Sequence, residues 1–167
     1  MKAATRIIEM TTEYSKNDKP GVIAPPPLIF AAGILAGAAV GRVVPAPMMP
    51  FNAAVVLGAL LILFGFGVIF VAWRQMVAAK TNIEPWRPTT AIIDSGLYAV
   101  SRNPIYVAMV EVYLGLSLIA NSVWCLVFLP VVMAVIHYGV VLREERYLEA
   151  KFGDEYRDYM SRVKRWM

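Results

Sequence analysis

The chain has 167 residues, enough for one domain. It is 59% hydrophobic and 17% charged, with a mean hydropathy of +0.58, whereas soluble chains run at about 45–50% and about 25%. A soluble domain of this size cannot hide so much apolar side chain, so the membrane class is expected; the net charge of +4 sits beside apolar runs and reads as attraction to lipid headgroups, not nucleic-acid binding.

The first 20 residues, MKAATRIIEMTTEYSKNDKP, are mixed polar and contain no apolar h-region, so no signal peptide is expected. Ile7, Ile8 and Met10 could at most form a short interfacial helix. Residues 1–27 form an N-terminal tail and 28–167 a single membrane domain. Four spans are predicted in it, about 28–44, 51–74, 104–120 and 123–142, since a membrane helix needs about 17–25 apolar residues. RVVPAPMMP joins the first pair and little more than ANS the second. The expected fold is therefore all-α and integral to the membrane: four transmembrane helices in two antiparallel hairpins, plus a C-terminal amphipathic helix. Gly33, Gly37 and Gly41 form a small-residue stripe on the first span, suited to packing inside the bundle or to a homodimer face. The "GFG" at 65–67 reads as helix packing in the second span. The lone Cys125 excludes an internal disulfide and a multi-cysteine metal site, and no metal site is expected.

Basic residues give an orientation. With four spans, both tails and the middle loop share one side, and that side holds 15 of the 16 Lys and Arg; only Arg42 lies opposite. The positive-inside rule then puts both termini in the cytoplasm, in an inner membrane of bacterial or archaeal type.

Polar side chains collect on the same side. The loop 75–103 carries Trp86 and Tyr98 and looks like an ordered surface loop. In SGLYAVSRNPIYVAMVEVYLG, residues 95–115, Asn103-Pro104 is a natural helix start, and Arg102 either snorkels to headgroups or serves a site. Glu111 lies two turns into the third span on the face of Pro104. A carboxylate there costs about 2.5–3.5 kcal/mol, so it should point into the bundle or a wet cavity, as a structural hydrogen-bonding acid or as a catalytic one. His137 and Glu144 are seven apart, on one helix face, and Tyr138 and Glu145 repeat the spacing. Phe152, Tyr156, Tyr159, Val163 and Trp166 make an apolar stripe of helical period, an amphipathic tail helix (within 143–167) over the bundle mouth. Each feature alone has a structural explanation; together they converge on one mouth of a four-helix bundle.

The run GLYAVSRNPIYVA, followed by EERYLEAKFGDEYRDYMSRVKRW and preceded by KTNIEPWRPTTAIIDSG, resembles the membrane methyltransferases related to isoprenylcysteine carboxyl methyltransferase and the phospholipid N-methyltransferases, over residues 75–166. Asn103 stands where the carboxyl methyltransferases usually carry His. The resemblance implies S-adenosyl-L-methionine as cofactor, with Tyr98, Arg102, Asn103, Pro104, Tyr106, Glu144 and Glu145 lining its site; the spacing adds His137. Arg102 suits the cofactor carboxylate. Asn103 and the third helix start offer donors and a positive dipole end. Glu144 or Glu145 suits the ribose or the ammonium, the other acid being held by Arg143 or Arg146, and Tyr98 and Tyr106 suit the sulfonium. Arg102 and Glu111 are the expected catalytic residues. An ionised Glu111 in the cavity favours an amine, thiol or phenol acceptor, lipophilic or small, over a prenylcysteine carboxylate. Isoprenylcysteine-type carboxyl methylation, a non-catalytic lipid-binding or scaffold protein, and a small transporter with a Glu111–His137 proton relay are the competing readings; four short spans without an inverted repeat argue against the last.

Overall fold

Prolines set where the helices begin. In the computed structural model, which describes residues 19–82 and 87–167, α1 (Pro26–Val43) and α3 (Pro104–Ile119) start on a proline, and α2 (Phe51–Ala78) starts directly after Pro50. Proline's fixed φ suits the first helical turn, where its missing N–H costs nothing. Between α2 and α3 a single 3₁₀ turn covers Gly96–Ala99. After α3 come α4 (Val123–Ile136), a π turn (His137–Val141), α5 (Leu142–Phe152) and α6 (Asp154–Arg162). The described residues contain helices and loops but no strand. The expected interfacial helix near Ile7 and the Trp86 position lie outside the described residues.

Among the described residues, three helices are long and apolar enough to cross a membrane: α1, α2, and the continuous 30-residue rod from Val123 to Phe152. Leu35, Leu57, Leu60, Leu63, Phe64, Phe66, Phe70 and Val131 lie exposed on them, as lipid-facing side chains should. α3 has 16 residues, about 24 Å at 1.5 Å per residue, shorter than a hydrocarbon core of about 30 Å. α2, with 28 residues, is about 42 Å long, and its last turns carry Gln75 and Met76 beyond the apolar run to the loop.

The helices do not pack as the two expected hairpins. α1 and α2 are joined by a short turn yet barely touch; α2 lies along α3, and α1 lies along α4. Small residues explain the choice. At the α2–α3 crossing a Cβ on Gly58 would come within 2.6 Å of the Gly115 carbonyl oxygen, and one on Gly115 equally close to that of Gly58. Gly65 meets Ala108 and Val112 of α3, so it is a packing residue as expected, while Gly67 has open space around it. The Gly33/Gly37/Gly41 stripe faces α4, where a Cβ on Gly37 would lie 2.5 Å from the Cα of Cys125. The stripe thus packs inside the bundle, as one of its two expected roles has it. Backbones approach where side chains are absent, and here that outweighs closeness in sequence.

Polar ties complete the bundle. Tyr113 donates from its hydroxyl to the Cys125 carbonyl at 2.7 Å, and its ring meets Phe30 edge-on. At the far end Asn121 binds the α1–α2 turn: its side-chain oxygen accepts from the Met48 and Met49 N–H groups, and its amide donates to the Met49 carbonyl. At the other end the π turn leaves the Gly139 carbonyl to accept from Ile23 N–H at 3.2 Å, and Arg143 donates to the Gly21 carbonyl at 2.8 Å. The segment before α1 is thereby laid across the end of α4.

Gly115→Val should destabilise the fold by about 1–3 kcal/mol, because its methyls must enter the α2 backbone, whereas Gly67→Ala should stay within about 0.5 kcal/mol; thermal unfolding in detergent reads both.

Candidate functional site

The loop after α2 is built around a glycine. Gly96 has φ +59, and a Cβ there would run into the Gln75 side chain; Gln75 in turn accepts from the Leu97 N–H at 3.2 Å. This turns the chain so that Tyr98 is buried at the bundle mouth, and its carbonyl accepts from the Tyr159 hydroxyl of α6 at 2.7 Å. Tyr156, Tyr159 and Val163 pack there with Ile92, Leu148 and Phe152, so the expected apolar stripe roofs the mouth. It is carried by two helices that break at Gly153, where φ is +57. Trp166 lies past the end of α6 and packs elsewhere, against the main core and His137.

After α6 the chain runs back beside the start of α3. Arg102 N–H donates to the Lys164 carbonyl at 3.0 Å, and the Asn103 side-chain amide donates to the Arg165 carbonyl at 3.0 Å. Ser101 donates to the same carbonyl at 3.3 Å. Asn103 occupies the N-cap position without capping by its side chain; its amide holds the C-terminal strap instead.

Between these parts lies a cavity of about 310 Å³. Tyr98, Arg102, Asn103, Pro104, Tyr106, Glu144 and Glu145 all line it. Seven of the nine residues expected from sequence thus line one cavity. The lining also includes apolar residues, among them Pro26 and Pro27 of α1, Ile69 of α2 and Met109 of α3.

The two acids differ. Glu145 is tied into a triad: Arg102 Nη2 lies 3.1 Å from Oε1, and Arg165 donates from Nε and Nη2 to the two oxygens, both at 2.8 Å. The Arg102 and Glu145 side chains are only 9% and 12% exposed. Glu144 accepts from the Tyr106 hydroxyl at 2.8 Å. It is half-buried as a residue, but burial of the carboxyl pushes its pKa up to about 7; the Tyr106 hydrogen bond pulls it down and the Glu145 charge pushes it up further. Arg143 and Arg146, expected to hold one acid, instead donate to the Gly21 and Leu142 carbonyls. The residue that holds Glu145, apart from Arg102, is Arg165. Sequence reasoning counted Arg165 only as a tail charge, and no local pattern singles it out.

Several buried donors have no partner. Among the described residues, Arg102 Nε and Nη1 and the Tyr98 hydroxyl make no hydrogen bond. Burial, with Tyr159 and Glu144 nearby, holds the Tyr98 hydroxyl protonated far above its ordinary range. Unsatisfied buried donors are costly, and three of them belong to residues that line this cavity.

Two expected residues stand outside. Glu111 does not line the cavity. At 100° per residue, it lies on the far side of α3 from Tyr106 and Met109. It is half-buried, and no hydrogen bond or ion pair to it is found among the described residues. His137 also misses the cavity; its ring stacks near Trp166 at 6.3 Å. The π turn at His137–Val141 is the reason. Its wider winding turns everything beyond it by about a quarter turn relative to an unbroken α-helix, so the seven-residue spacing no longer puts His137 and Glu144 on one face.

These features define a membrane-embedded helical bundle with a ligand cavity at one end. A profile of the phospholipid methyltransferase family matches residues 53–155, well over half the chain, and the chain belongs to that family of membrane methyltransferases. The match takes in α2 to α5 and the whole of the cavity's polar wall. An uncharacterized protein of Haemophilus influenzae is 47% identical over a 62-residue alignment that takes in 33% of this chain and 98% of that protein. No solved structure matches the chain.

The raised Glu144 pKa has a signed consequence. A carboxyl raised from 4.5 to about 7 on folding contributes fully to stability below about pH 4.5 and loses that contribution as the pH rises through about 7. Melting temperature in detergent should therefore fall between about pH 4.5 and 7 in the parent protein, and this fall should be flattened by Glu144→Gln. An identical slope in both proteins would contradict the burial of the carboxyl.

Proposed function

We propose that the cavity binds S-adenosyl-L-methionine and that the chain transfers its methyl group to a lipophilic amine at the cytoplasmic membrane face. The carrying observation is that Arg102 and Tyr98, whose buried Nε, Nη1 and hydroxyl have no partner among the described residues, line one cavity together with the acceptor carboxyl of Glu144. That donor set fits the cofactor's amino-acid end: Arg102 and Tyr98 suit the carboxylate, and Glu144 suits the ammonium or the ribose hydroxyls. Glu145 is already held by two guanidiniums, so Glu144 is the acid left to receive a ligand. The volume, about 310 Å³, falls at the small end of the about 300–1,000 Å³ that ligand pockets span.

The bound cofactor supplies an electrophilic methyl group on a sulfonium. The chain's work is to bind, align and keep water out, and alignment alone can lower a barrier by about 7–11 kcal/mol. Tyr98, Tyr156 and Tyr159 roof the mouth. Pro26, Pro27, Ile69 and Met109 give the apolar side on which a lipid-borne acceptor would rest. The family assignment supports an amine acceptor over a prenylcysteine carboxylate. The short α3, packed along α2, makes a fourth crossing, and the basic tails and loop then favour the cytoplasmic side for the mouth.

Glu111 has no part in this reading, since it lies off the cavity. Methyl transfer from labelled cofactor to vesicles of phosphatidylethanolamine, prenylcysteine, or small thiols and phenols tests the proposal. Label should appear in the amine lipid, Arg102→Ala and Glu144→Ala should each lower kcat/KM at least about 100-fold through lost charged hydrogen bonds, and Glu111→Gln should change it less than about threefold. Label in prenylcysteine alone would shift the function to carboxyl methylation, and no label with any acceptor class would remove methyl transfer to these lipids and small molecules as the activity.

A further inference from the structure

Arg165 is the feature that the functional reading leaves unused. The family match ends at residue 155, so it does not reach this residue. Yet Arg165 is fixed from two sides. Its carbonyl accepts from the Asn103 amide and the Ser101 hydroxyl, and the preceding carbonyl, of Lys164, accepts from Arg102 N–H. Its guanidinium grips both oxygens of Glu145 at 2.8 Å. The strap thus reaches the same carboxylate that Arg102 uses.

Charge makes this arrangement consequential. Arg102 with Glu145 alone is a neutral pair in a largely desolvated place, and a neutral pair has little attraction for an anion. Arg165 brings a second positive charge, so the triad carries a net charge of +1. Arg165 binds both oxygens of Glu145 at 2.8 Å, whereas Arg102 makes one Nη2 contact at 3.1 Å, to the oxygen that Arg165 Nε also binds. Its Nε and Nη1 remain buried and unpartnered.

We propose that Arg165 is a positioning residue: by neutralising and holding Glu145 it frees Arg102 to bind the carboxylate of an amino-acid ligand at the cavity wall. The inference rests on the cofactor reading above and adds a determinant outside the matched region. Arg165 itself touches neither ligand nor reacting atoms; it acts through Glu145. If it is removed, Glu145 turns its full charge on Arg102 and competes with the ligand carboxylate. If Glu145 is neutralised as well, that competition ends.

The test compares binding of S-adenosylhomocysteine with its decarboxylated analogue, which keeps the amine, by calorimetry on the full chain in detergent. The preference for the carboxylate ligand is the readout, because general loosening of the fold weakens both ligands alike. The parent protein should prefer S-adenosylhomocysteine by about tenfold or more, as expected for a charged hydrogen bond. Arg165→Met should remove most of that preference, and Glu145→Gln/Arg165→Met should bring it back. Arg165→Lys, which keeps the charge, should retain the preference within about threefold on the same energetic scale, and it decides the matter if Arg165→Met does not fold. An undiminished preference in Arg165→Met, a loss that Glu145→Gln does not repair, or a collapse in Arg165→Lys would each overturn the role of Arg165. Binding of neither ligand by the parent protein would overturn the cofactor reading, and this inference with it.

Discussion

The site depends on one carboxylate, Glu145, shared between two guanidiniums that come from different parts of the chain. Arg102 stands before α3, Glu145 on α5, and Arg165 on the strap after α6. A buried carboxylate without partners would cost several kcal/mol, so the three segments must meet. Breaking such a pair from one side typically costs about 3–5 kcal/mol, because the remaining charge is left behind. The triad therefore ties the start of α3, α5 and the strap together at the end of the bundle.

The rest of the fold serves that junction. The glycine contacts between α2 and α3, and between α1 and α4, bring backbones close enough to make a narrow bundle. The π turn then rotates α5 so that Glu144 and Glu145 face the mouth while the rod continues unbroken to Phe152. π turns inserted in α-helices are frequent at functional sites, and here the effect is concrete: it aims two acids. Tyr106, in the first turn of α3, donates to Glu144 at the cavity. The hydrogen bond and the two acids' mutual repulsion act on a desolvated carboxyl, leaving it poised near neutral pH.

Much of this was legible in the sequence, and the misses have physical causes. Composition and hydropathy identified a helical membrane protein because lipid-facing surface needs apolar residues wherever the helices cross. The Arg102-to-Tyr106 run and the paired acids were legible because chemistry demands particular side chains at short spacing. Helix partnership was not, since it depends on which small residues face one another across the bundle; Gly58 with Gly115 outweighed the short turn joining α1 to α2. His137 was misplaced because periodicity assumes an unbroken α-helix. Glu111 was misplaced because rarity in a span marks a residue as unusual without saying which way it faces. Arg165 was invisible: its partners lie 20 and 62 residues away, and a basic residue in a basic tail carries no local signal.

Calorimetric titration of S-adenosylhomocysteine into the purified chain, with and without Arg102→Met, tests the central claim most directly. Binding at one site per chain, weakened at least about tenfold by loss of the charged hydrogen bond in the variant, is the expected result. Absence of binding, or equal affinity in both proteins, would contradict the assignment of this cavity to the methyl donor.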